Sequence, residues 1–219
     1  IAGLDREPDC ADTCAQVEAT GRRYLNIECD LRGTSAAQLG EYVAQVVDGL
    51  GRLDILVNNA GIIRRNPAID YTEEDWDAVL DINLRALFFL SQAAARVMRE
   101  SGGGKIINVA SMLSFQGGIL VPSYTAAKSG VAGVTRALAN EWAALNINVN
   151  AIAPGYMATD NTAPIRADAA RNESILARIP AGRWGKPEDL QGLVVFLASD
   201  ASRYMHGAIV PIDGAWLCR

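Results

Sequence analysis

A tyrosine and a lysine one helical turn apart carry the clearest chemical signal in the sequence. Tyr124 and Lys128 are four residues apart, so on a helix both side chains project from one face. A nearby ammonium stabilises a phenolate, and lowering a phenol pKa from about 10 to about 7 corresponds to about 4 kcal/mol. One unit charge at about 4 Å in an effective dielectric of about 20 supplies an energy of that order. The pair predicts a phenol that exchanges a proton with a substrate oxygen, although the same spacing also arises by chance.

Two further polar residues fit the same chemistry. Ser111 lies at the tip of a predicted strand near 105–110, where its hydroxyl can hydrogen-bond an oxygen on which negative charge develops. Asn83 falls on the apolar stripe of a predicted helix near 73–100, and a buried amide there needs hydrogen-bonding partners. Asn83 either satisfies backbone groups of a neighbouring strand, or bends its helix and holds a water that links the lysine to solvent protons.

Other common chemistries lack their residues. His206 is the only histidine, which leaves no Ser-His-Asp triad, and we interpret it as a structural residue of a turn. Cys10 and Cys14 are one helical turn apart and could form half of a metal site, but the single histidine is distant in sequence. We interpret the four cysteines as free thiols of a reducing compartment.

Composition narrows the class of partner. Half of the residues are apolar and the net charge is −5, with a pI near 5.0 and no cluster of Lys and Arg. This balance argues against nucleic acid and against an anionic membrane surface. The longest apolar runs, such as Leu193 to Ala198, are far shorter than the roughly 20 residues of a membrane span. We expect a cytoplasmic protein whose partner is a small molecule.

The elements that position these residues alternate between short apolar runs and longer helical patterns. Strands are predicted near 1–5, 23–30, 53–58, 105–110, 147–153 and 207–212, and helices near 9–20, 34–49, 73–100, 122–145 and 187–198. Alternation of this kind implies right-handed crossovers and a parallel sheet with helices on both faces. We predict one α/β domain over residues 1–219, doubly wound and Rossmann-like, with a mobile lid over 156–178.

Polar residues gather at the carboxyl ends of the predicted strands. In a doubly wound sheet, ligands bind in the crevice beyond these ends. The residues at the ends are Asp5, Asp30, Asn58-Asn59-Ala60-Gly61, Ser111 and Pro154-Gly155. Each could be ordinary turn chemistry, but their common side of the sheet predicts one binding crevice.

Together these residues resemble the motifs of the short-chain dehydrogenase/reductase family. The matching residues, in the family's order, are Asn58-Asn59-Ala60-Gly61, Asn83, Ser111, Tyr124-x-x-x-Lys128, Pro154-Gly155-x-x-x-Thr159 and Asp213-Gly214. The resemblance implies an oxidoreductase that moves a hydride between a nicotinamide cofactor and a small hydroxy or keto substrate. It implies four catalytic residues, namely the acid/base Tyr124, its pKa partner Lys128, the substrate-orienting Ser111 and the proton-relay residue Asn83.

The resemblance also implies a cofactor site. Its expected residues are Asp5, Asp30, Leu31, Asn58, Ala60, Gly61, Tyr124, Lys128, Pro154, Gly155, Met157 and Thr159. Asp5 matches the acid that binds the adenosine ribose hydroxyls, which favours NAD over NADP because a carboxylate repels a 2′-phosphate. The neighbouring Arg6 would instead favour NADP, because a guanidinium attracts a 2′-phosphate.

The sequence departs from the family pattern in two places. Ala215 stands where the family usually has a second glycine. The first strand, the glycine-rich phosphate loop and the first helix have no counterpart, so we expect roughly 35 to 40 residues of the working protein to be missing from this sequence. We expect the 219 residues alone to be poorly soluble and inactive.

Three segments resemble the sugar-acid branch of the family. They are Gly61-Ile62-Ile63-Arg64-Arg65, Ser111 to Gly118 and Ala153 to Thr159. The resemblance implies a gluconate-like substrate, either 2-dehydro-3-deoxy-D-gluconate at its 5-position or 2-deoxy-D-gluconate at its 3-position, with gluconate at its 5-position as an alternative. The expected substrate contacts are Arg64, Arg65, Ser111, Gln116 and Tyr124. A guanidinium suits a carboxylate, although the two arginines can equally be a solvated loop pair.

Two alternatives to a sugar-acid enzyme stay open. A 3-oxoacyl carrier-protein reductase shares the motifs but usually prefers NADPH, which Asp5 disfavours. A binding module of the same fold shares the architecture, but such modules commonly lose the tyrosine or the lysine, and both are present here. The resemblance further implies a homotetramer built on the predicted helices near 73–100 and 122–145.

Overall fold

The computed structural model describes residues 1–7 and 10–219. The strands are β1 Ala2–Asp5, β2 Leu25–Glu28, β3 Ile55–Asn58, β4 Gly104–Val109, β5 Ile147–Pro154 and β6 Ile209–Ile212. The helices are α1 Ala11–Glu18, α2 Ala36–Leu50, α3 Glu73–Leu80, α4 Leu87–Glu100, α5 Pro122–Trp142, α6 Ala163–Ala167, α7 Ala169–Leu176 and α8 Glu188–Ala198. All predicted strands are confirmed to within a few residues, and the predicted start of the first helix at position 9 lies outside the described residues.

The strands pair in parallel, which confirms the Rossmann-like α/β prediction, but they form two sheets. β1 pairs with β2, and β3, β4, β5 and β6 are neighbours in that order. A cleft of about 1050 Å³ lies between β1 and β3 and is lined by residues of both strands. The single sheet that the sequence predicts is therefore present as two hydrogen-bonded halves.

One apolar cluster joins the two halves. Leu39 and Val43 of α2 pack with Leu90 of α4, and Leu4 of β1 and Leu56 of β3 pack against them. Leu39 is fully buried, and burial of a leucine side chain contributes about 1.5–3 kcal/mol. The cluster therefore fixes β1 beside β3 without a hydrogen bond between the two strands.

Helices cover both faces of the four-stranded sheet. Ile106 and Ile107 are adjacent in β4, point to opposite faces and are both buried. Ile106 belongs to the cluster under α4 and α5, whereas Ile107 packs with Leu197 of α8. This two-sided burial is what the continuous apolar strands predict.

The predicted helix near 73–100 contains a distortion. The segment Asp81–Ala86 between α3 and α4 is a π-helix, and Asn83 lies within it. The whole run Glu73–Glu100 is long and apolar enough, by length and composition alone, to cross a membrane. Its most apolar window is 56% buried inside the protein, as expected for a core helix.

The segment predicted as a lid is helical. After Tyr156 the chain forms a 3₁₀ turn at Asp160–Thr162 and then α6 and α7. Asp168 caps α7, because its side chain accepts a hydrogen bond from the backbone N–H of Arg171 at 3.0 Å. The weak periodicity of this segment did not predict either helix.

Candidate active site

The first turns of α5 place the tyrosine and the lysine side by side. The Lys128 Nζ lies 5.6 Å from the centroid of the Tyr124 ring, which is the shared face that the spacing predicts. Lys128 is buried, and its Nζ donates a hydrogen bond to the backbone oxygen of Val109 at 2.6 Å. The end of β4 therefore holds the ammonium behind the phenol.

The turn after β4 brings the serine hydroxyl to the phenol. Ser111 is buried, and its hydroxyl hydrogen-bonds the phenol of Tyr124 and accepts the N–H of Leu113 at 3.2 Å. Ser114 ties this turn to α5 by donating from its Oγ to the backbone oxygen of Lys128 at 2.6 Å. Serine, phenol and ammonium thus converge, as the sequence predicts.

The expected pKa of about 7 for the phenol was not confirmed by the protein alone. Burial raises the pKa of Tyr124, while the hydrogen bond from Ser111 and the charge of Arg65 lower it. Lys128 is itself shielded from solvent, and this burial lowers its pKa to about 8. The argument from one ammonium charge omitted the desolvation of the phenol, which opposes ionisation.

Asn83 bonds a loop of the backbone. It is fully buried, with Oδ1 accepting from the Ile62 N–H at 2.8 Å and Nδ2 donating to the Ile62 oxygen at 2.9 Å. A β-carbon on Gly61 would lie 3.4 Å from this Oδ1 and 3.8 Å from the Nζ of Lys128, so loop, amide and ammonium meet. Asn83 thus satisfies backbone groups of a neighbouring segment, as one prediction had it, but that segment is a loop and not a strand. The helix is also distorted at Asn83, as the water-holding alternative requires.

The two arginines after this loop have different partners. Arg64 forms an ion pair with Asp75 at 3.3 Å. Arg65 has no ion pair among the described residues, and its charge acts on the phenol of Tyr124. Of the two residues that the sequence left equivalent, only Arg65 presents an uncompensated charge to the crevice.

Tyr71 links the loop that carries Arg64 and Arg65 to α5 through hydrogen bonds. Its hydroxyl lies 2.6 Å from the Oγ of the fully buried Ser123 and donates to the Arg64 oxygen at 3.2 Å. The N–H of Asn66 also donates to the oxygen of Leu120 at 3.0 Å. Sequence reasoning missed Tyr71 and Ser123, since neither carries a local signal of this contact.

The adenosine-side residues line the cleft between the two sheets. Asp5, Leu31, Asn58 and Ala60 all contribute to its wall. Asp5 stands at the tip of β1, where its Oδ1 accepts the N–H of Glu7 at 3.0 Å.

Asp30 and Asn58 differ from the expected cofactor contacts in how their side chains are engaged. The Oδ1 of Asp30 accepts the Arg32 N–H at 2.9 Å, closing the turn after β2. The amide of Asn58 points into the core and donates to Ser91 and Asn108 at 2.9 Å each. What Asn58 offers the crevice is its backbone rather than its side chain.

The segment after β5 is held in a fixed path. The Gly155 N–H donates to Ile212 at 2.8 Å, and a β-carbon on Gly155 would lie 2.5 Å from the Cα of Asp213, so only glycine follows Pro154 here. Met157 forms a β-bridge with Gly185.

Thr159 begins the 3₁₀ turn of the lid. Its N–H donates to the Oγ1 of Thr162 at 3.1 Å, and the same Oγ1 donates to the Met157 oxygen at 2.6 Å. These bonds fix the backbone of Met157 and Thr159, for which the nicotinamide contact stays a prediction.

The carboxyl ends of the strands offer groups that suit a dinucleotide: Asp5 at the tip of β1 can accept hydrogen bonds from ribose hydroxyls, and a β-carbon on Gly61 would lie 3.8 Å from the Nζ of Lys128. Farther from these ends, the cleft is lined along β1 and β3 by apolar side chains such as Leu53, Leu56 and Leu90, so its volume is not that of a cofactor site. Among residues 1–7 and 10–219, no group of three or more His, Cys, Asp and Glu side chains could hold a metal ion. His206 contacts Asn148 at 3.1 Å, at the end of β5 remote from Pro154.

Comparison with known proteins agrees with this geometry. A family model described as enoyl-(acyl carrier protein) reductase matches residues 1–216. The 2-dehydro-3-deoxy-D-gluconate 5-dehydrogenase of Escherichia coli is 59% identical over 95% of this chain and 82% of its own length. The Bacillus subtilis protein of the same name is 52% identical over 100% of this chain and 85% of its own length.

A solved structure shows the same fold. A putative 2-deoxy-D-gluconate 3-dehydrogenase from Agrobacterium tumefaciens with bound NADP has a TM-score of 0.89 and 52% identity, covering 100% of this chain and 86% of its own. With the motifs, the fold and these relatives in agreement, the chain belongs to the short-chain dehydrogenase/reductase family, a family of nicotinamide-dependent oxidoreductases.

Proposed function

We propose that this protein transfers a hydride between a nicotinamide cofactor and C5 of 2-dehydro-3-deoxy-D-gluconate. The observation that carries the proposal is the position of Arg65, whose charge acts on Tyr124 and has no ion-pair partner among the described residues. A sugar acid needs a cation near the reacting oxygen to bind its carboxylate, and Arg65 supplies it. The names of the E. coli and B. subtilis relatives support the same substrate.

In this proposal Tyr124 moves the proton and its neighbours hold the substrate. The cofactor, when bound, supplies the carbon that gives or accepts the hydride. Tyr124 exchanges a proton with the substrate oxygen, and the hydroxyl of Ser111 hydrogen-bonds that oxygen as charge develops. Lys128 keeps a positive charge beside the phenol, and Asn83 holds the Ile62 loop against the lysine.

Arg65 binds the substrate carboxylate, and Arg64 supports the loop. The ion pair with Asp75 neutralises Arg64, and its backbone oxygen takes the Tyr71 hydroxyl. An arginine that is free to pair can bind a carboxylate with two parallel hydrogen bonds. This division of roles fits a small acid better than a thioester carried by a protein.

NAD is the preferred cofactor in this proposal. Asp5 is exposed at the tip of β1, where it can accept bonds from ribose hydroxyls and would repel a 2′-phosphate. The NADP in the Agrobacterium structure shows that the fold also accepts the phosphorylated cofactor in that relative.

A homotetramer in the cytoplasm completes the proposal. Leu84, Phe88 and Val134 line a surface cleft of about 810 Å³ along α4 and α5, and a second copy would cover these apolar side chains. All four cysteines are free, which suits a reducing compartment.

The experiment compares two neighbouring substitutions in the full-length protein. Arg65→Met should raise KM for the sugar acid about 10- to 100-fold, since a hydrogen-bonded charge contributes about 1.5–3 kcal/mol. Arg64→Met is the matched control and should leave KM within about twofold. Equal effects of the two changes would remove the basis for the proposal.

The wild type also separates the alternatives. Reduction of a 3-oxoacyl thioester but not of the sugar acid would favour the carrier-protein reductase. Binding of NADH without turnover of either substrate would favour a non-catalytic module.

A further inference from the structure

We infer that Trp216, in the last turn of the chain, is a positioning residue that sets which end of the Gln116 amide faces the substrate. The inference rests on the proposed function, because it assigns Gln116 to the sugar-acid site. The two residues are 100 positions apart and meet through one hydrogen bond, from the indole Nε1 of Trp216 to the Oε1 of Gln116 at 3.3 Å.

The indole is fixed from several sides. Trp216 is 4% exposed and packs with Met112, the residue that follows Ser111. The guanidinium of Arg178, at the end of the lid, lies 3.9 Å from the centroid of a Trp216 ring, and Tyr156 meets Trp216 edge-on at 4.9 Å. A side chain held this way is a rigid donor.

The donor decides the orientation of the glutamine. An indole N–H can only donate, so it selects the oxygen end of the Gln116 amide. The Nε2 end, with two N–H groups, is then directed away from Trp216. Gln116 also sits on the tight turn after Ser111, where its backbone N–H donates to the Met112 oxygen at 3.2 Å.

An amide presented by its nitrogen recognises acceptors. Carboxylate, carbonyl and ether oxygens fit Nε2, and the many oxygens of a sugar acid supply them. Because the indole belongs to the chain terminus and Arg178 to the lid, the same contact ties both segments to the Ser111 turn. Trp216 thereby acts on substrate affinity without touching the substrate.

The test uses the same change at two tryptophans. Trp216→Phe keeps an aromatic ring for Arg178 and Tyr156 but removes the N–H. Trp184→Phe is the control, because Trp184 also packs edge-on against Tyr156, but its Nε1 donates to Asn172 at 2.7 Å.

We expect Trp216→Phe to raise KM for the sugar acid about fivefold to tenfold, the size of one oriented hydrogen bond, with kcat within about twofold. NADH affinity should not change. Gln116→Met should raise KM at least as much, and adding Trp216→Phe to it should cause no further rise. Trp184→Phe and Gln116→Met should instead combine additively.

A second readout does not need substrate. With 5-fluorotryptophan, the four tryptophans give separate ¹⁹F signals, and the substitution Trp216→Phe identifies one of them. Gln116→Met should shift that signal and leave the Trp184 signal in place.

The outcomes separate the inference from the proposed function. A wild type that does not turn over the sugar acid refutes the proposed function, and the inference falls with it. A wild type that does so, with an unchanged KM for Trp216→Phe or full additivity with Gln116→Met, refutes the inference alone. An unmoved Trp216 signal in Gln116→Met also overturns it.

Discussion

Replacing Lys128 by methionine should change how stability depends on pH, because the folded protein buries this ammonium. Burial lowers the pKa of Lys128 from 10.5 to about 8. A difference of 2.5 pKa units corresponds to about 3 kcal/mol between the charged and the neutral side chain.

The sign follows from which state loses its proton first. Below pH 8 both states carry the ammonium, and the folded state bears the full cost of burying it. Between pH 8 and 10.5 the folded state is neutral while the unfolded state still binds the proton, so stability rises with pH. From pH 7 to 9.5 the gain attributable to Lys128 is about 2 kcal/mol.

The assay is urea unfolding followed by tryptophan fluorescence at one fixed protein concentration. Because burial raises the pKa of Tyr124, this phenol favours the folded state at low pH and loses that effect as pH rises. The comparison is therefore made between Tyr124→Phe and the double variant Tyr124→Phe/Lys128→Met. Lys128→Met also leaves the Val109 oxygen without its hydrogen bond, which lowers the stability of the double variant by the same amount at every pH. This loss therefore does not affect how the stability difference changes with pH.

We expect the stability difference between these two variants to grow by about 2 kcal/mol from pH 7 to 9.5. Lys186→Met, made in the same background, controls for the loss of an exposed ammonium. A difference that stays flat across this range would show that Lys128 is not desolvated, and the account of its position would be wrong.

Three other changes test separate parts of the structure. Asp5→Ala should narrow the preference for NADH over NADPH, by removing repulsion of the 2′-phosphate, in steady-state assays with each cofactor. Asn83→Leu should cost about 2–4 kcal/mol in urea unfolding, since it strands two backbone groups of Ile62. The hydrogen bonds and charge of Arg183 hold the pKa of Asp189 at about 2, below its usual 3.8. Asp189→Asn should therefore destabilise the protein above pH 3.8. In acid unfolding, the difference in stability between this variant and the wild type should disappear as the pH falls through about 2.

The sheet and the convergence of polar residues were predictable from local patterns. Runs such as Ile106 and Ile107 are apolar on both strand faces, and parallel strands place their carboxyl ends at one edge. Tyr124 and Lys128 needed only the helical repeat, which α5 provides. These features depend on neighbours in sequence, so the sequence alone was sufficient.

The helices within residues 156–178 and the π-helix depend on distant contacts. Ile175 and Ile179 pack with Trp216, and this tertiary burial rather than helical propensity stabilises the short α7. The π-helical turn lets Asn83 bond both backbone groups of Ile62. No local sequence pattern encodes either partner.

The roles of individual charges were also beyond the sequence. Arg64 and Arg65 are adjacent and chemically identical, and only the place of Asp75 in the fold separates them. Asn58 was assigned to the crevice by its motif, yet its amide bonds Asn108 across the sheet. The prediction of a lowered phenol pKa was wrong because the spacing of Tyr124 and Lys128 gives their proximity but not the burial of the phenol.

The most direct test of the central claim is the turnover of the full-length Tyr124→Phe protein, either with NAD⁺ and 2-dehydro-3-deoxy-D-gluconate or with NADH and the 5-keto form of that acid. Both directions are followed by the absorbance of NADH. Removing one hydroxyl takes away the transferable proton and leaves the other residues of the site unchanged. We expect kcat to fall by at least about 100-fold, with NADH affinity unchanged, whereas the exposed Tyr204→Phe keeps wild-type kcat. A Tyr124→Phe protein that retains a tenth or more of the wild-type kcat would contradict the assignment of Tyr124 as the acid/base.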